Sequence, residues 1–370
     1  MHDDTYRNLA DFLNRLPGGF PPSETDADIR LLERLFTVDE AILVTHLTLE
    51  REGVEVIAAR AGLPVEIIGS RLAEMANKGL IFSVLQDNGS PLYQAVPFVV
   101  GIWEFQVNKL TEGLIRDVND YWNTSLRQKP VRTIPQMRTI PIGESIEPHL
   151  EAYPYEQVMQ LLDNQDRFAV APCICRLEAK MEGAGCSALE EACLIFGDWA
   201  DYYVREGKGR AIDRAEVLEI LKKADQDNLV LQPSNSRDVS VICCCCKCCC
   251  GVLKSLTRHP RPAEAVFSHF TASFDQRFCA GCGICIERCP MGAFTRSDDK
   301  VEFNSVRCIG CGLCVTTCPT DALKLVCKPD TGRIRIPDTI TETWQEIAEA
   351  RNRVFPEDES TRSSHRRNKP

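Results

Sequence analysis

Two stretches toward the C-terminal end constrain this chain more than any other feature: FCAGCGICIERCPMGAF and RCIGCGLCVTTCPTDAL. In the first, Cys279, Cys282, Cys285 and Cys289 precede Pro290 with the spacing C-x2-C-x2-C-x3-C-P. In the second, Cys308, Cys311, Cys314 and Cys318 repeat it before Pro319, making an internal repeat of about 29 residues. Three thiolates spaced by two residues wrap one iron–sulfur cubane, and the fourth, past the loop, reaches the neighbouring cluster. Gly281, Gly283, Gly310 and Gly312 let the backbone pass close to such a cluster and aim N–H groups at its sulfurs. Ile284, Ile286, Phe294, Ile309, Leu313, Val315 and Leu323 supply an apolar shell that excludes water.

These motifs resemble those of bacterial two-cluster ferredoxins, over roughly residues 274–327. The resemblance implies two [4Fe–4S] clusters: one on Cys279, Cys282, Cys285 and Cys318, the other on Cys308, Cys311, Cys314 and Cys289. Cys327 lies outside both runs and reads as an idle thiol.

The chain has 20 cysteines, none before Cys173, and eleven lie upstream of the ferredoxin-like runs. They are Cys173 and Cys175, Cys186 and Cys193, Cys243 to Cys246, and Cys248 to Cys250. Eleven thiols suffice for one or two additional iron–sulfur clusters, or for one larger or non-cubane cluster. Zinc is the competing reading, but the paired C-x2-C knuckles of structural zinc sites are absent, and one zinc uses four thiolates. In a strand, Cys173 and Cys175 face one side, as do alternate residues of an extended Cys243 to Cys250; Cys186 and Cys193 share a face if both lie on one helix. The expected ligands are therefore Cys173, Cys175, Cys186, Cys193, Cys243, Cys245, Cys246, Cys248, Cys249 and Cys250, converging on one pocket. Arg176, directly after Cys175, is placed to hydrogen-bond a cluster sulfide.

Taken together, PCICR, two spaced cysteines and ICCCCKCCCG ahead of a dicluster run resemble a family of multi-cluster iron–sulfur proteins of anaerobic bacteria, over roughly residues 25–330. Cys244 and Lys247 fill that family's variable positions. The resemblance implies metal binding and no settled substrate. Adjacent cysteines also resemble the non-cubane sites of heterodisulfide-reductase-type proteins, though the paired CCG spacing is missing.

Charge and hydropathy exclude several classes. Net charge is −10, which argues against wholesale nucleic-acid binding and suits docking onto basic patches of a redox partner. The longest uncharged stretch, Asn88 to Trp103, contains two prolines and falls short of the ~20 apolar residues of a membrane span. MHDDTYRNLA has no apolar signal core, so a reducing compartment, the cytoplasm, is expected, with thiols unpaired. No phosphate-binding G-x-x-x-x-G-K-[ST], nucleophile elbow or complete dinucleotide fingerprint occurs.

The periodicities predict an α+β, multidomain chain. Residues 1–27 read as an N-terminal arm broken by PGGFPPSETDAD. Residues 28–105 read as a winged helix–turn–helix: helices, a turn at Gly62-Leu63-Pro64, a helix Val65 to Lys78 closed by Gly79, and a hairpin at Asp87-Asn88-Gly89. Residues 106–150 read as a helix and a Pro-rich linker, extended by Pro130, Pro135, Pro141 and Pro148. Residues 151–262 form a central Cys-rich α/β domain, with helices at Tyr155 to Leu162, Ser187 to Val204 and after the cap Asp213, and a strand in RFAVAPCIC. Residues 263–330 form the ferredoxin-like dicluster domain, and 331–370 a short helix and flexible tail. The expected function is electron transfer between the central site and a partner oxidoreductase in anaerobic metabolism, with no catalytic residue assigned. A redox-sensing regulator that uses the winged helix, and a reductase with a catalytic central cluster, are the alternatives; the N-terminal domain is the candidate surface for a homo-oligomer.

Overall fold

A computed structural model describes residues 2–125, 134–142, 157–298, 300–328 and 335–350. Pro130, Pro148, Tyr155 and the tail from residue 351 lie outside them. The chain divides into two compact units, residues 1–134 with 341–370, and residues 135–340.

In the first unit, α1 (His2–Arg15) is not a loose arm. Tyr6, Leu9, Phe12, Leu13 and Leu16 recur on one face of a 3.6-residue helix and are all buried. The Tyr6 hydroxyl donates to the Phe36 carbonyl at 2.9 Å. Helices α2 (Ala27–Leu35) and α3 (Val38–Val44) follow. Thr37 and Glu40 start α3 with a reciprocal capping box: the Glu40 N–H donates to Thr37 Oγ1 at 3.3 Å and the Thr37 N–H to Glu40 Oε2 at 2.8 Å. Next come β1 (Glu52–Gly53), α4 (Val54–Ala61), α5 (Val65–Lys78), β2 (Phe82–Leu85) and β3 (Pro91–Gln94), with sheet order β1-β3-β2. Gly79 ends α5 at φ +80°, where a Cβ would also stand 2.8 Å from Phe105 Cβ, so glycine is required twice over. Helix α6 (Glu112–Thr124) follows.

The second unit is built on one antiparallel sheet. In chain order it contains α7 (Val158–Asp163), β4 (Phe168–Pro172), α8 (Ile174–Met181), β5 (Glu191–Phe196), α9 (Gly197–Arg205), β6 (Arg210–Ile212), α10 (Arg214–Gln226), β7 (Val230–Pro233), β8 (Val241–Cys245) and α11 (Gly251–Arg258). The sheet order is β6-β4-β5-β8-β7 and every pairing is antiparallel, so the central part is α+β rather than the α/β expected. The predicted helix Ser187 to Val204 is instead strand β5 followed by α9. Gly197, at φ +57°, makes the break, and the apolar run in EACLIF fills a central strand. The predicted strand through Cys175 stops at Pro172, and Cys173 caps α8. Asp213 caps α10 by accepting the Glu216 N–H at 2.8 Å, but Glu216 pairs with Arg210 rather than closing the box.

Part of the predicted linker is a buried strap. The Arg138 and Ile140 N–H groups donate to Pro233 and Leu231 on the edge of β7. The Thr139 and Ile142 N–H groups donate the other way, to Phe267 and Cys311. Edge pairing tolerates the flanking Pro135 and Pro141, which is why a proline-punctuated stretch still sits in a core.

The last elements are α12 (Pro262–Ala265), β9 (Phe270–Phe274), α13 (Ile284–Arg288), β10 (Phe294–Ser297), β11 (Lys300–Phe303), β12 (Leu323–Cys327) and α14 (Ile340–Ala350). Strands β9 and β12 pair antiparallel, as do β10 and β11. Among the described residues no helix is long and apolar enough to cross a membrane.

Candidate metal centre

Each cysteine run from 279 and from 308 leaves a 3-10 turn and enters its loop through glycines with positive φ: Gly281 at +68°, Gly283 at +82°, Gly310 at +72° and Gly312 at +75°. At Gly310 a side chain has no room, since a Cβ would stand 2.6 Å from Ser268 Oγ and collide with the Phe270 carbonyl. Backbone N–H groups reach the sulfurs: Gly281 to Cys279 at 3.4 Å, Ala293 to Cys289 at 3.2 Å, and Ala272 to Cys308 at 3.3 Å. Such contacts stabilise thiolate charge.

The fourth cysteine of each run crosses over. Cys289, Cys308, Cys311 and Cys314 line one apolar cavity walled by Ile309, Leu313 and Phe294. Burial pushes the Cys285 thiol up to about 11, and the charges it then feels come from Cys279, Cys282 and Cys318. Cys314 is pushed up by burial and by Cys311, Cys308, Cys289 and Cys285. Cys318 goes the other way: burial is outweighed by N–H groups of Thr320, Leu323 and Ala322, which hold its thiol below the ordinary range. Thiols that resist ionisation when bare become ligands only by giving their protons up to a metal.

The central cysteines separate by topology into two groups. Strand alternation puts Cys243 and Cys245 on one face of β8, with Cys193 of β5 directly opposite Cys243. Cys244 points the other way, opposite Leu231, into the apolar core, where burial pushes its thiol to about 12. Cys173 at the start of α8 and Cys250 at the start of α11 close the thiol face, and Cys175 lies in the first turn of α8. Neighbouring thiols are in mutual contact from Cys193 to Cys243, Cys245, Cys250, Cys175 and Cys173. The net effect of these contacts and burial is to push the thiols of Cys173, Cys175, Cys243, Cys245 and Cys250 up. Cys173, Cys175 and Cys250 thus sit at the N-terminal turns of two eight-residue helices, a setting that favours negative charge. Gln232 Nε2 donates to Cys250 Sγ at 3.9 Å; only the β7–β8 register reveals its place.

Cys186, Cys246, Cys248 and Cys249 form the second group, their sulfurs all within 4.8 Å of one another. Burial of Cys186 is outweighed by the Ala188 N–H and the neighbouring thiols, bringing it down to about 7. Cys173 and Cys175 therefore do not share a strand, and Cys186 and Cys193 do not share a helix. The close sulfur contacts fall into two sets, because β8 ends at Cys245 and the turn that follows carries Cys246, Cys248 and Cys249 off the sheet.

Arg176 is 3% exposed. Its Nη2 donates to the Cys244 carbonyl at 2.8 Å, while Nε and Nη1 meet no acceptor in the protein. The thiols of Cys173, Cys246, Cys245 and Cys186, drawn from both groups, act on it electrostatically and outweigh the cost of its burial. A buried guanidinium with Nε and Nη1 unsatisfied beside so many thiols fits an anionic inorganic cluster.

The two halves of the unit share one core. Cys245, Cys246, Cys249 and Cys250 pack in the same apolar cluster as Met291, Ile309, Cys311 and Leu313. Arg288 fastens the junction by donating to the Leu313 carbonyl at 2.8 Å and to Asp225 at 2.5 Å. Arg307 donates to Met291 at 2.6 Å and to Thr257 at 3.0 Å.

Residues 278–323 match the 4Fe-4S dicluster domain family. No curated protein and no solved structure matches the chain. The dicluster match and the many cysteines support an iron–sulfur, ferredoxin-like module that serves electron transfer, and the thiol-rich region upstream suggests further metal.

Proposed function

We propose that this chain relays electrons between a central iron–sulfur site and a partner oxidoreductase, through two [4Fe–4S] clusters held by Cys279, Cys282, Cys285 and Cys318 and by Cys289, Cys308, Cys311 and Cys314. The observation that carries the reading is the continuity of sulfur. Cys285 neighbours Cys314 across the two quartets, and Cys311 shares a core with Cys249 and Cys250 of the thiol-rich part. When bound, such clusters supply one-electron redox chemistry. The protein's own residues hold them apart from water and set the charge around them through N–H groups and Arg176. Anaerobic metabolism and a reducing, cytoplasmic setting are the context in which exposed thiols such as Cys186, Cys248 and Cys282 persist.

In the same proposal the α4–α5 pair and the β2–β3 hairpin are a winged helix that docks protein or a second copy of the chain, rather than DNA. Both cations on α5 are already engaged: Arg71 pairs with Asp39 at 2.9 Å and Lys78 with Glu40 at 2.5 Å. Val56, Leu63, Val65 and Ile67 around the turn are exposed and apolar, unlike a phosphate-binding surface.

Anaerobically purified protein is expected to contain about eight irons for the dicluster part and more for the centre. Reduction by dithionite is expected to give the spectra of interacting [4Fe–4S]⁺ pairs. Protein that carries zinc and no iron ends this reading, and tight, salt-dependent binding to duplex DNA ends the docking assignment.

A further inference from the structure

The four-cysteine group differs in scale from every other thiol group among the described residues. Cys186 Sγ stands 3.8 Å from Cys246 Sγ and 3.7 Å from Cys249 Sγ, and Cys249 Sγ is 3.8 Å from Cys248 Sγ. Four sulfurs arranged tetrahedrally at about 2.3 Å from one ion stand about 3.8 Å from each other. A cubane spreads its thiolates wider, because four irons and four sulfides lie between them. The ferredoxin quartets provide the internal comparison. Among the described residues, no three of their sulfurs come within 4.8 Å of one another, whereas all four sulfurs of this group do.

We propose that Cys186, Cys246, Cys248 and Cys249 hold one tetrahedral metal ion of the zinc class, separate from the six thiols Cys173, Cys175, Cys193, Cys243, Cys245 and Cys250, which hold the central iron–sulfur cluster. The second half rests on the electron-transfer reading; the first stands on sulfur geometry alone. Four thiolates close the coordination sphere, so the ion is structural and takes no substrate. Its effect is local. Cys246, Cys248 and Cys249 lie on the turn between Cys245 and Cys250, so tying that turn to the loop carrying Cys186 fixes the two inner thiols on either side of it.

The test counts metals in the full chain, purified without oxygen from iron- and zinc-supplemented cells. Wild type is expected to carry one zinc per chain besides its iron and acid-labile sulfide. Zinc-edge X-ray absorption should show four sulfurs at about 2.3 Å. Cys186→Ser with Cys248→Ser, both at exposed positions, should take zinc from one per chain to none and leave the dicluster iron in place. Cys175→Ser with Cys193→Ser should lower iron and sulfide and keep the zinc. If the first pair instead lowers iron and sulfide by about four each, the site is a cubane and the proposal is overturned, while the relay stands. Wild-type protein with iron but no zinc overturns it too, without need of any variant. Zinc kept in both pairs places the ion elsewhere and also overturns it, whereas loss of the relay reading would show as absent iron.

Discussion

Cys244 shows how finely burial sorts one residue type. It lies between two thiols of the inner group, yet strand alternation turns it into the core opposite Leu231. Cys244→Ala is therefore expected to leave iron and sulfide unchanged, whereas Cys243→Ala, one position away, should lose the central cluster; colorimetric iron and sulfide assays decide. Arg176 acts through charge. Replacing it by Gln removes a buried cation close to both thiol groups, so adding an electron becomes harder and the central midpoint potential should fall by tens of millivolts in a spectroelectrochemical titration. In the other unit, desolvation raises the Glu104 carboxyl to about 7 against the Gly101 N–H, which donates to it at 2.8 Å. The folded state then holds a proton that the unfolded chain gives up near 4.5, so this group's contribution is complete below that pH. Stability should fall by roughly 1–3 kcal/mol as pH rises from about 4.5 through 7, and level off above. Glu104→Gln should flatten that slope in urea titrations followed through Trp103.

At the scale of elements, the strap at 136–142 and the Arg288 clamp decide how the sheet meets the dicluster part. Asp225→Ala leaves the Arg288 guanidinium, whose side chain is 15% exposed, without its carboxylate. A loss of roughly 1.5–3 kcal/mol is expected from denaturant midpoints, with amides of α10 and α13 exchanging faster. Elements with an intact local signal were legible in advance. Helix α5 runs from Val65 to Lys78 with Gly79 in the left-handed region, and the hairpin turns between β2 and β3 at 86–90, as pattern and turn chemistry demand. Elements decided by partners were not. EACLIF has no strand alternation and becomes β5 only because β4 and β8 flank it on both sides. The strap reads as linker because prolines mark it, and it is held by edge bonds that the sequence does not advertise.

For the whole molecule, metal and fold are one problem in residues 135–340. Thiols occupy positions that apolar side chains hold elsewhere: Cys285, Cys308 and Cys314 lie in one core cluster, and Cys245, Cys249 and Cys250 in the other. Stripping iron with a chelator under reducing conditions should therefore unfold this unit while the helices of residues 2–125 remain. A partial loss of both helix and sheet circular dichroism, and limited proteolysis confined to the second unit, are the expected results. By itself the sequence determined the dicluster loops, because ligand spacing, glycine and proline there are local requirements of a cluster that few other arrangements satisfy. It also marked the upstream cysteines as candidate metal ligands, by number and bunching. Only the tertiary structure decided which thiols belong together. Strand register turned Cys244 inward and set Cys193 against Cys243, and the end of β8 carried Cys246, Cys248 and Cys249 to Cys186. Those are contacts between residues up to some sixty positions apart, and no local pattern encodes them.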